Sequence, residues 1–464
     1  MFSPDTYKKR RDELRKLLPG GIVFFPGNAE VPYNYPANTY TYRQDSTFLY
    51  FLGLQEPGLA AVMDLDDGSE CLFGDDSTMD DIIWMGQQPS MSDKAAAIMM
   101  DKTQPSAVLA DVLQRAQQQG RTIHFLPPYR AETKIRMWEW LGIPPAQQKE
   151  KACMPLIKAV VKMRMLKESQ EIEQIETAID TLYKMHTYIM EHACEGMVER
   201  ELSGAIEGIA LSNGGPVSFP VILSVNGQIL HNHYHGNTMR GGQLLITDAG
   251  AETVMGYAGD ITRTIPVSGR FDARQKVIYN IVLQSNLTAI EMSRPGVSYR
   301  DVHLAAARVI AEGLKDAGIM RGNMDDAVAQ GAHALFFPHG LGHAMGLDVH
   351  DMEGLGENYV GYDETISRST QFGLASLRFG RKLEPGFVLT DEPGIYFIPA
   401  LIDQWEAEKK FTDFIHYEAL KAFRDFGGIR IEDDILITEN GCRVLGRPIP
   451  KTIDEIECLR EAFM

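Results

Sequence analysis

Two aspartates lie where strand residues are otherwise apolar, in the segment LLITDAGAETVMGYAGDITRT between Leu244 and Thr264. Asp248 ends one apolar run, and Asp260 lies inside the next. The segment predicts two short strands joined by a turn-rich connection. Two buried carboxylates on paired strands would repel each other, and a divalent metal between them would relieve that repulsion. Aspartates that cap the connecting loop through Asx bonds are the alternative interpretation.

Histidines concentrate in one part of the chain. Eight of the twelve lie between residues 231 and 350, with the densest group in PHGLGHAMGLDVHD. His339 and His343 have the spacing of two ligands on one helical face, but the glycines between them disfavour a helix. The motif also differs from the H-E-x-x-H of zincins. The neighbouring Asp348 and Asp351 make this cluster harder to interpret as a set of isolated structural histidines.

Two further acids follow apolar strand patterns. Glu392 occurs in LTDEPGIY, where a Pro-Gly pair turns the chain just after the carboxylate. Glu432 occurs in GIRIEDDILIT, two residues after Arg430. Strand alternation places Arg430, Glu432 and Asp434 on one face and Asp433 on the other. Taken by itself, the pair of Arg430 and Glu432 is equally typical of a simple ion pair.

The order of five of these residues resembles the ligand signature of the dinuclear metallopeptidases with the pita-bread fold: Asp248, Asp260, His343, Glu392 and Glu432. The sequences YAGDITRT, ILHNH, HGLGH, LDVHD, EPGIY and GIRIEDD resemble the Xaa-Pro branch, which holds aminopeptidase P and prolidase. The likeness covers roughly residue 163 to the C-terminus. It extends less sharply into the first part of the chain through YRQDSTFLYFLG and IIWMG. It implies hydrolysis of the bond between an N-terminal residue and a following proline.

The resemblance implies two divalent ions, most often Mn²⁺ in this branch, with Zn²⁺, Co²⁺ and Fe²⁺ as alternatives. Asp260 and Glu432 would bridge the ions, Asp248 would bind one, and His343 and Glu392 the other. Four carboxylates and one imidazole form an oxygen-rich site that suits manganese. Two such ions can lower the pKa of a shared water and stabilise an oxyanion. Glu392 would shuttle the proton to the leaving proline nitrogen.

The resemblance also implies roles around the metals. His231 would border the substrate, and His339 would line the proline pocket. His350 would contact the scissile carbonyl or its oxyanion, so His231, His350 and Glu392 are the expected catalytic residues. Arg430 would hold the ligand acids in place.

One position departs from the family pattern. The family usually has an apolar residue where this chain has Asp391. Either Asp391 or Glu392 could therefore point at the metals, and the E-P-G sequence that follows favours Glu392.

The preferred substrate length depends on the long segment between His350 and Glu392. It contains GLASLRFGRKLEPG, which resembles prolidase, where a comparable arginine grips the free carboxylate of a dipeptide. Arg378 is the matching position. The opening SPDTYKKRRDELRKLLPGGIVFFPGN and the tail IPKTIDEIECL resemble aminopeptidase P instead. We therefore predict an Xaa-Pro aminopeptidase, with an Xaa-Pro dipeptidase as the alternative.

Three other protein classes share parts of this pattern. Methionine aminopeptidases have the five ligands but normally lack a large N-terminal α/β domain. Creatinase-like hydrolases have both domains but replace the metal acids. A non-catalytic binding module of the same fold would lose ligands, and this chain keeps all five.

The first predicted domain, residues 1–162, alternates helix and strand and is typical of an α/β domain without a nucleotide-binding motif. Helices are predicted at Asp5–Leu18 and Ser106–Gln119, and strands at Ile22–Phe25, Ser46–Leu52, Leu59–Leu65 and Thr122–Leu126. Trp84, in IIWMG, matches a tryptophan that in relatives can reach a neighbouring subunit's site. This likeness implies a homodimer or homotetramer.

The second predicted domain, residues 163–464, is expected to be an α+β pita-bread catalytic domain. Helices are predicted from Glu168, at Ala273–Met292 and at Tyr299–Ala317, and late strands at Phe387–Asp391 and Ile429–Ile437. LLITDAG, FVLTDEPG and GIRIEDD each place acids at the end of an apolar run. This echo predicts an internal pseudo-two-fold.

Composition bounds the partners and the compartment. The chain has 464 residues, 44% hydrophobic content and a net charge of −18, so no basic surplus exists for nucleic acid or an anionic membrane. Its five scattered cysteines favour reduced thiols in a cytoplasmic protein. The charged N-terminal helix lacks an apolar signal core, and no run approaches a membrane span. The expected partner is a proline-containing peptide.

Overall fold

The computed structural model describes residues 1–463 and divides them into two compact units. The first unit comprises Met1–Arg164 together with Met352–Tyr359, and the second comprises the other described residues. Met352–Tyr359 falls within the predicted second domain, residues 163–464, but belongs to the first unit. Within residues 1–463, no helix has the length and apolarity that crossing a membrane requires.

The first unit contains a five-stranded mixed sheet. Its strands lie in the order Lys102–Gln104, Glu70–Phe73, Ala60–Asp64, Ile22–Pro26 and Ile123–His124. Ile22–Pro26 pairs antiparallel with Ala60–Asp64 and parallel with Ile123–His124. A hairpin pairs Pro32–Tyr35 with Asn38–Thr39. The helices are Pro4–Leu17, Ser46–Leu52, Met79–Met85, Met91–Ala96, Leu109–Gln118, Ala131–Leu141, Pro145–Lys151 and Met154–Met165, with a 3₁₀ turn at Ser106–Val108.

The prediction of a strand at Ser46–Leu52 is wrong, because this segment is a helix with all seven residues buried. The Asp45 carboxylate accepts a hydrogen bond from the Phe48 amide at 2.9 Å and caps the helix N-terminus. Gly53 ends the helix with a φ of 67°, a conformation that favours glycine. A short, wholly buried apolar run has no polar face, so its periodicity cannot distinguish a helix from a strand.

The second unit repeats one order of elements. Helices Ser169–His192 and Glu199–Ser212 precede an antiparallel sheet of Ala258–Pro266, Leu244–Glu252 and Ile222–Ser224. Helices Ala273–Met292 and Tyr299–Asp316 precede a second such sheet of Val388–Asp391, Asp433–Ile437 and Cys442–Val444. This repetition agrees with the predicted internal two-fold. The other helices of this unit are Met324–Gln330, Pro399–Ala407, Tyr417–Leu420 and Ile453–Glu461, with 3₁₀ turns at Ala332–Leu335, Leu374–Ser376 and Lys421–Phe423. The 3₁₀ turn Glu353–Leu355 lies in the first unit, and the helix Glu357–Val360 begins there.

The predicted strand Ile429–Ile437 is interrupted. Gly428–Arg430 pairs with Gly394–Tyr396, whereas Asp433–Ile437 pairs with Val388–Asp391 in another sheet. Glu432 lies at the break, and its amide donates to the Thr262 carbonyl at 3.1 Å. Because the chain changes sheets here, the Glu432 side chain meets the strand that carries Asp260.

Candidate metal centre

Strand pairing places two acids on one face of the first sheet. In the antiparallel pair, Asp248 lies opposite Thr262 and Asp260 lies opposite Gly250. Directly opposed residues point to the same side of a sheet, so Asp248 and Asp260 are diagonal neighbours on that side. Both side chains are buried. A Cβ at position 250 would collide with the Ser218 hydroxyl, so this close packing requires glycine.

The other ligand candidates converge on these acids. Ligand atoms of Asp260, His343 and Glu432 all lie within 4.8 Å of one another. The Nε2 atom of His343 lies 3.7 Å from Asp260 Oδ2 and 3.9 Å from Glu392 Oε1. The structure therefore brings together residues from four separate parts of the chain.

The His343 ring is oriented by its surroundings. Its Nδ1 lies 3.2 Å from the Ala344 carbonyl, which can only accept, so Nδ1 carries the proton. The Nε2 lone pair is left facing the acids, as a metal ligand requires. The His343 amide also donates to the Thr390 hydroxyl at 3.1 Å.

Arg430 connects the acids on the floor of the site. Its Nη2 donates to Asp248 Oδ2 at 2.5 Å and its Nη1 to the Tyr396 hydroxyl at 2.8 Å. Its Nε donates to the Thr262 hydroxyl at 3.1 Å, and that hydroxyl donates to Glu432 Oε2 at 2.6 Å. Arg430 thus has the contacts expected of a residue that holds the ligand acids in place.

The acids repel one another in a region removed from water. Burial raises the pKa of Asp260 well above its usual value, and the charges of Glu432 and Asp248 raise it further. Burial and the charge of Glu392 likewise raise the pKa of Glu432. Burial raises the pKa of Glu392 to about 8, against the opposing charge of Arg430. The charge of Arg430 does not compensate four carboxylates.

The donor set fits divalent cations. Asp248 Oδ1 and Asp260 Oδ1 are buried without a hydrogen-bond partner, although buried carboxylate oxygens are ordinarily satisfied. Four carboxylates and an imidazole with a free Nε2 are typical ligands for Mn²⁺ and similar ions. Cations at this position would satisfy the two unpartnered oxygens and offset the repulsion that raises the pKa values.

A cavity of about 660 Å³ opens above the five ligand candidates, all of which line it. This volume is within the range of small-molecule sites. The expected substrate residues His231, His339, His350 and Arg378 also line it, as does Arg430. The remaining walls are mainly apolar and include Phe219, Pro220, Ile222, Leu230, Pro338 and Phe372.

His339 is held as a neutral imidazole. Burial lowers its pKa to about 3. The Tyr396 hydroxyl accepts from Arg430, so its own proton is donated to His339 Nε2 at 2.9 Å. His339 Nδ1 then donates to the Gly340 carbonyl at 2.8 Å. With both nitrogens engaged, His339 presents carbon–hydrogen surface to the cavity.

Asp391 and Glu392 point to different surroundings. Glu392 lines the cavity, where its side chain is 20% exposed. Asp391 is fully buried elsewhere and accepts a hydrogen bond from Asn286 Nδ2 at 3.1 Å. Of the two neighbours, Glu392 is therefore the one positioned to bind a metal.

Trp84, which the resemblance implies can reach the site of a neighbouring subunit, does not line this cavity. It lies on the helix Met79–Met85 of the first unit, and 77% of its surface is exposed.

Several residues in and around the site were not identified from the sequence. Thr262 supports Glu432, Tyr396 supports His339, and Asp434 Oδ2 accepts from the Asp260 amide at 3.0 Å. Thr262 follows Asp260 by two residues on one strand, so strand alternation could have placed it on the same face. No comparable signal marks Tyr396, because its contacts depend on how the strands pack.

Comparison with protein families covers both units. A model of the metallopeptidase family M24 matches residues 173–439, more than half of the chain. A model of the aminopeptidase P N-terminal domain matches residues 7–124. These matches confirm the predicted resemblance and the predicted fold class.

Individual proteins resemble the chain along nearly its whole length. The human Xaa-Pro dipeptidase is 33% identical over 459 residues, covering 96% of this chain and 90% of that protein. The Xaa-Pro aminopeptidase of Escherichia coli K12 is 32% identical over 478 residues, covering 99% and 98%. The structure of aminopeptidase P from E. coli in its low-pH form superposes with a TM-score of 0.82 at 31% identity, covering 100% of this chain and 99% of that one. The structure of Pseudomonas aeruginosa aminopeptidase PepP gives 0.81 at 27% identity, covering 99% and 98%.

Proposed function

The chain belongs to metallopeptidase family M24, and from that membership we propose that it hydrolyses the peptide bond between an N-terminal residue and a following proline. One observation carries the proposal. Asp260, His343 and Glu432 bring ligand atoms within 4.8 Å of one another at the floor of a cavity that Asp248 and Glu392 also line. The names of the similar human and E. coli proteins, an Xaa-Pro dipeptidase and an Xaa-Pro aminopeptidase, support the choice of peptide bond.

The ligand residues would hold two divalent ions, whose chemistry is to lower the pKa of water and to stabilise negative charge on a carbonyl oxygen. Glu392 lines the cavity 3.9 Å from His343 Nε2, where its carboxylate takes up a proton and delivers it to the leaving proline nitrogen. His350, whose ring packs on His343 with centroids 4.3 Å apart, donates to the carbonyl oxygen. His231 borders the substrate at the exposed side of the cavity.

The proline ring requires an apolar wall. His339 supplies one, because both of its nitrogens are engaged by Tyr396 and Gly340. A histidine so constrained offers no hydrogen bond to a substrate amide, and proline has no amide hydrogen to donate. This match favours proline over other residues at the second position of the peptide.

An Xaa-Pro dipeptidase is the second candidate, and one observation favours it. Arg378 lines the cavity, and its charge acts to lower the pKa of both Glu392 and His343. A guanidinium here could bind the free carboxylate of a dipeptide in a bidentate manner. A longer peptide has no carboxylate at that position.

One assay tests the proposed reaction. The purified protein with Mn²⁺ is given an Xaa-Pro dipeptide, an Xaa-Pro-Yaa tripeptide and Met-Ala-Ser. We expect release of the first residue from the tripeptide, and a chelator should abolish it. Hydrolysis of Met-Ala-Ser without hydrolysis of any proline peptide would contradict the proline preference.

The role of Arg378 is tested by Arg378→Gln, with the exposed Arg294→Gln as the control. If Arg378 binds a terminal carboxylate, the variant should lose about 10-fold or more in kcat/KM on the dipeptide and little on the tripeptide, because a charge-assisted contact is lost. An unchanged ratio of the two rates would contradict the dipeptidase candidate.

The ion, the assembly and the compartment belong to the same proposal. Mn²⁺ is supported by the four carboxylates in the donor set. A homodimer or homotetramer is supported by the helix of Trp84, on which Met79, Ile83 and Met85 are each more than two-thirds exposed. A cytoplasmic location is supported by the five free cysteines.

A further inference from the structure

A buried ion pair lies outside the ligand set. Lys167 Nζ donates to Asp351 Oδ2 at 2.9 Å, and each side chain is only 1% exposed. Apolar residues of similar volume usually stabilise a fold as well as a buried ion pair does, because burying two charges is costly. The pair is therefore better explained by the orientation that it imposes than by stability.

Asp351 closes the loop that carries two site histidines. Its amide donates to the Ala344 carbonyl at 2.9 Å, and its Oδ1 accepts from the Asp348 amide at 3.3 Å. The loop begins beside His343 and ends beside His350, whose rings pack edge to face. A shift of the Asp351 carboxylate would thus move both ends of the loop.

Gly346 allows this arrangement. A Cβ there would lie 2.5 Å from Asp351 Oδ2 and 3.0 Å from Lys167 Cε, so the ion pair packs directly on the loop backbone. The Gly346 carbonyl also accepts from the Ala258 amide at 2.8 Å, at the start of the strand that carries Asp260. The loop is thereby tied to the metal-binding strand as well.

The backbone of Lys167 contacts a second part of the site. Its amide donates to the Gly386 carbonyl at 2.9 Å, just before the strand Val388–Asp391 that leads to Glu392. That strand is bonded to the loop in turn, because the Met345 amide donates to the Val388 carbonyl at 3.1 Å. One lysine therefore contacts the histidine loop through its side chain and the base of the Glu392 strand through its backbone.

We propose that Lys167 is a positioning residue that, through Asp351, holds the His350 ring against His343 and in the cavity. The inference rests on the proposed hydrolysis for its effect on rate, but not for its effect on the loop. Lys167 itself touches none of the five ligand side chains through the contacts described above, so its influence on the reaction passes through Asp351 and the loop.

Hydrogen exchange tests the effect on the loop without any activity measurement. Amide exchange is followed by mass spectrometry in Lys167→Met and in the control Lys162→Met, which alters an exposed lysine of the helix Met154–Met165. We expect at least about 10-fold faster exchange at residues 344–351 in Lys167→Met only. Unchanged exchange in this loop would overturn the proposal.

A double-mutant cycle tests the effect on rate. Lys167→Met should lower kcat by about 10-fold to 100-fold, as loss of a partner of a site residue commonly does, and leave KM within about 3-fold. In a His350→Ala background the same change should lower kcat by less than about 3-fold, because the ring it positions is absent. Equal effects in both backgrounds would overturn the role of His350.

Because Lys167→Met removes the ammonium partner of a buried carboxylate, Lys167→Met/Asp351→Leu provides a foldable comparison. This variant should keep the wild-type melting temperature or exceed it, yet still lose kcat and loop protection. Wild-type kcat in this folded variant would overturn the proposal. If wild-type protein cleaves no proline peptide, the proposed function fails, and the exchange result still decides whether Lys167 positions the loop.

Discussion

Two neighbouring acids, Glu432 and Asp433, lie in opposite electrostatic surroundings. Glu432 faces the cavity, where burial and the charge of Glu392 raise its pKa. Asp433 faces away and accepts from Arg263 at 2.8 Å and from Lys451 at 2.6 Å. Although burial would raise the pKa of Asp433, those two cations lower it. The charge of Asp433 is therefore compensated by two cations, whereas Glu432 lies among acids in a region of excess negative charge.

The difference shows what the metal centre lacks. A buried carboxylate that stays ionised for the sake of the fold is paired with cations, as Asp433 is, because an unpaired charge is costly to bury. Glu432 has the Thr262 hydroxyl and the charge of Arg430 to lower its pKa, yet its pKa stays raised, as does that of Asp260. The missing positive charge is a stronger indication of a cation site than the presence of acids alone.

The largest expected effect comes from removing an acid on the uncompensated side. Asp260→Asn should lower peptidase activity by about 10,000-fold, the scale observed when one member of a cooperating catalytic group is lost. It should also abolish tight Mn²⁺ binding, measured by calorimetry. Without metal, the variant should melt no lower than wild type, because a repulsive charge has been removed.

The exposed Asp316→Asn is the control and should change neither property. Wild-type Mn²⁺ affinity in Asp260→Asn would contradict the assignment of Asp260 as a metal ligand.

Asp433, whose charge is compensated by two cations, should respond in the opposite way: its substitution should lower stability. Asp433→Asn should reduce the free energy of unfolding by about 3 kcal/mol, because Arg263 and Lys451 lose their buried partner. This value is at the lower end of the usual range, since the Lys451 side chain is 20% exposed. Urea denaturation measures the change. Stability equal to wild type would contradict the view that Asp433, unlike Glu432 and Asp260, is compensated by its cation partners.

Stability as a function of pH sharpens the comparison. Burial raises the pKa of Glu392 to about 8, so the folded protein without metal holds a proton that the unfolded chain releases above about pH 4.3. The free energy of unfolding should therefore fall as pH rises from about 4.3 to 8. Bound ions favour the ionised ligands and should reverse this loss.

Melting temperatures with chelator or with Mn²⁺, measured from pH 5 to pH 8.5, check this expectation. The gain that Mn²⁺ provides should increase with pH, and Glu392→Gln should flatten the increase. A gain that decreases over this interval would contradict the assignment of the raised pKa.

The sequence predicted the ligand candidates but not their geometry. Asp248, Asp260, His343, Glu392 and Glu432 are predicted as ligands because short motifs resemble a known family. The helices Pro4–Leu17 and Ala273–Met292 were found because helical periodicity and breakers are local signals. Distances such as the 3.7 Å between His343 and Asp260 depend on packing between segments far apart in the chain.

The errors have the same origin. Ser46–Leu52 is buried throughout and largely apolar, so its pattern carries no period, and capping by Asp45 and Gly53 stabilises it as a helix. Ile429–Ile437 alternates like one strand, but tertiary pairing moves its two ends into different sheets. The ion pair of Lys167 and Asp351 joins residues 184 positions apart, and no local signal marks it.

The smallest effect is expected at Asp391, which is buried like the metal acids but lies outside the cavity. Burial raises its pKa well above the usual value, and the charge of Asp433 raises it further, so its surroundings favour the uncharged carboxyl. Asp391→Asn introduces a neutral amide of nearly the same shape, whose oxygen can still accept from Asn286. Activity should therefore stay within about 3-fold of wild type and unfolding free energy within about 1 kcal/mol. Glu392→Gln, one residue further on, is the contrasting control and should lose at least about 100-fold in kcat. A loss of that size in Asp391→Asn would mean that both Asp391 and Glu392 serve the metal centre. The distinction between acids inside and outside the cavity would then be wrong.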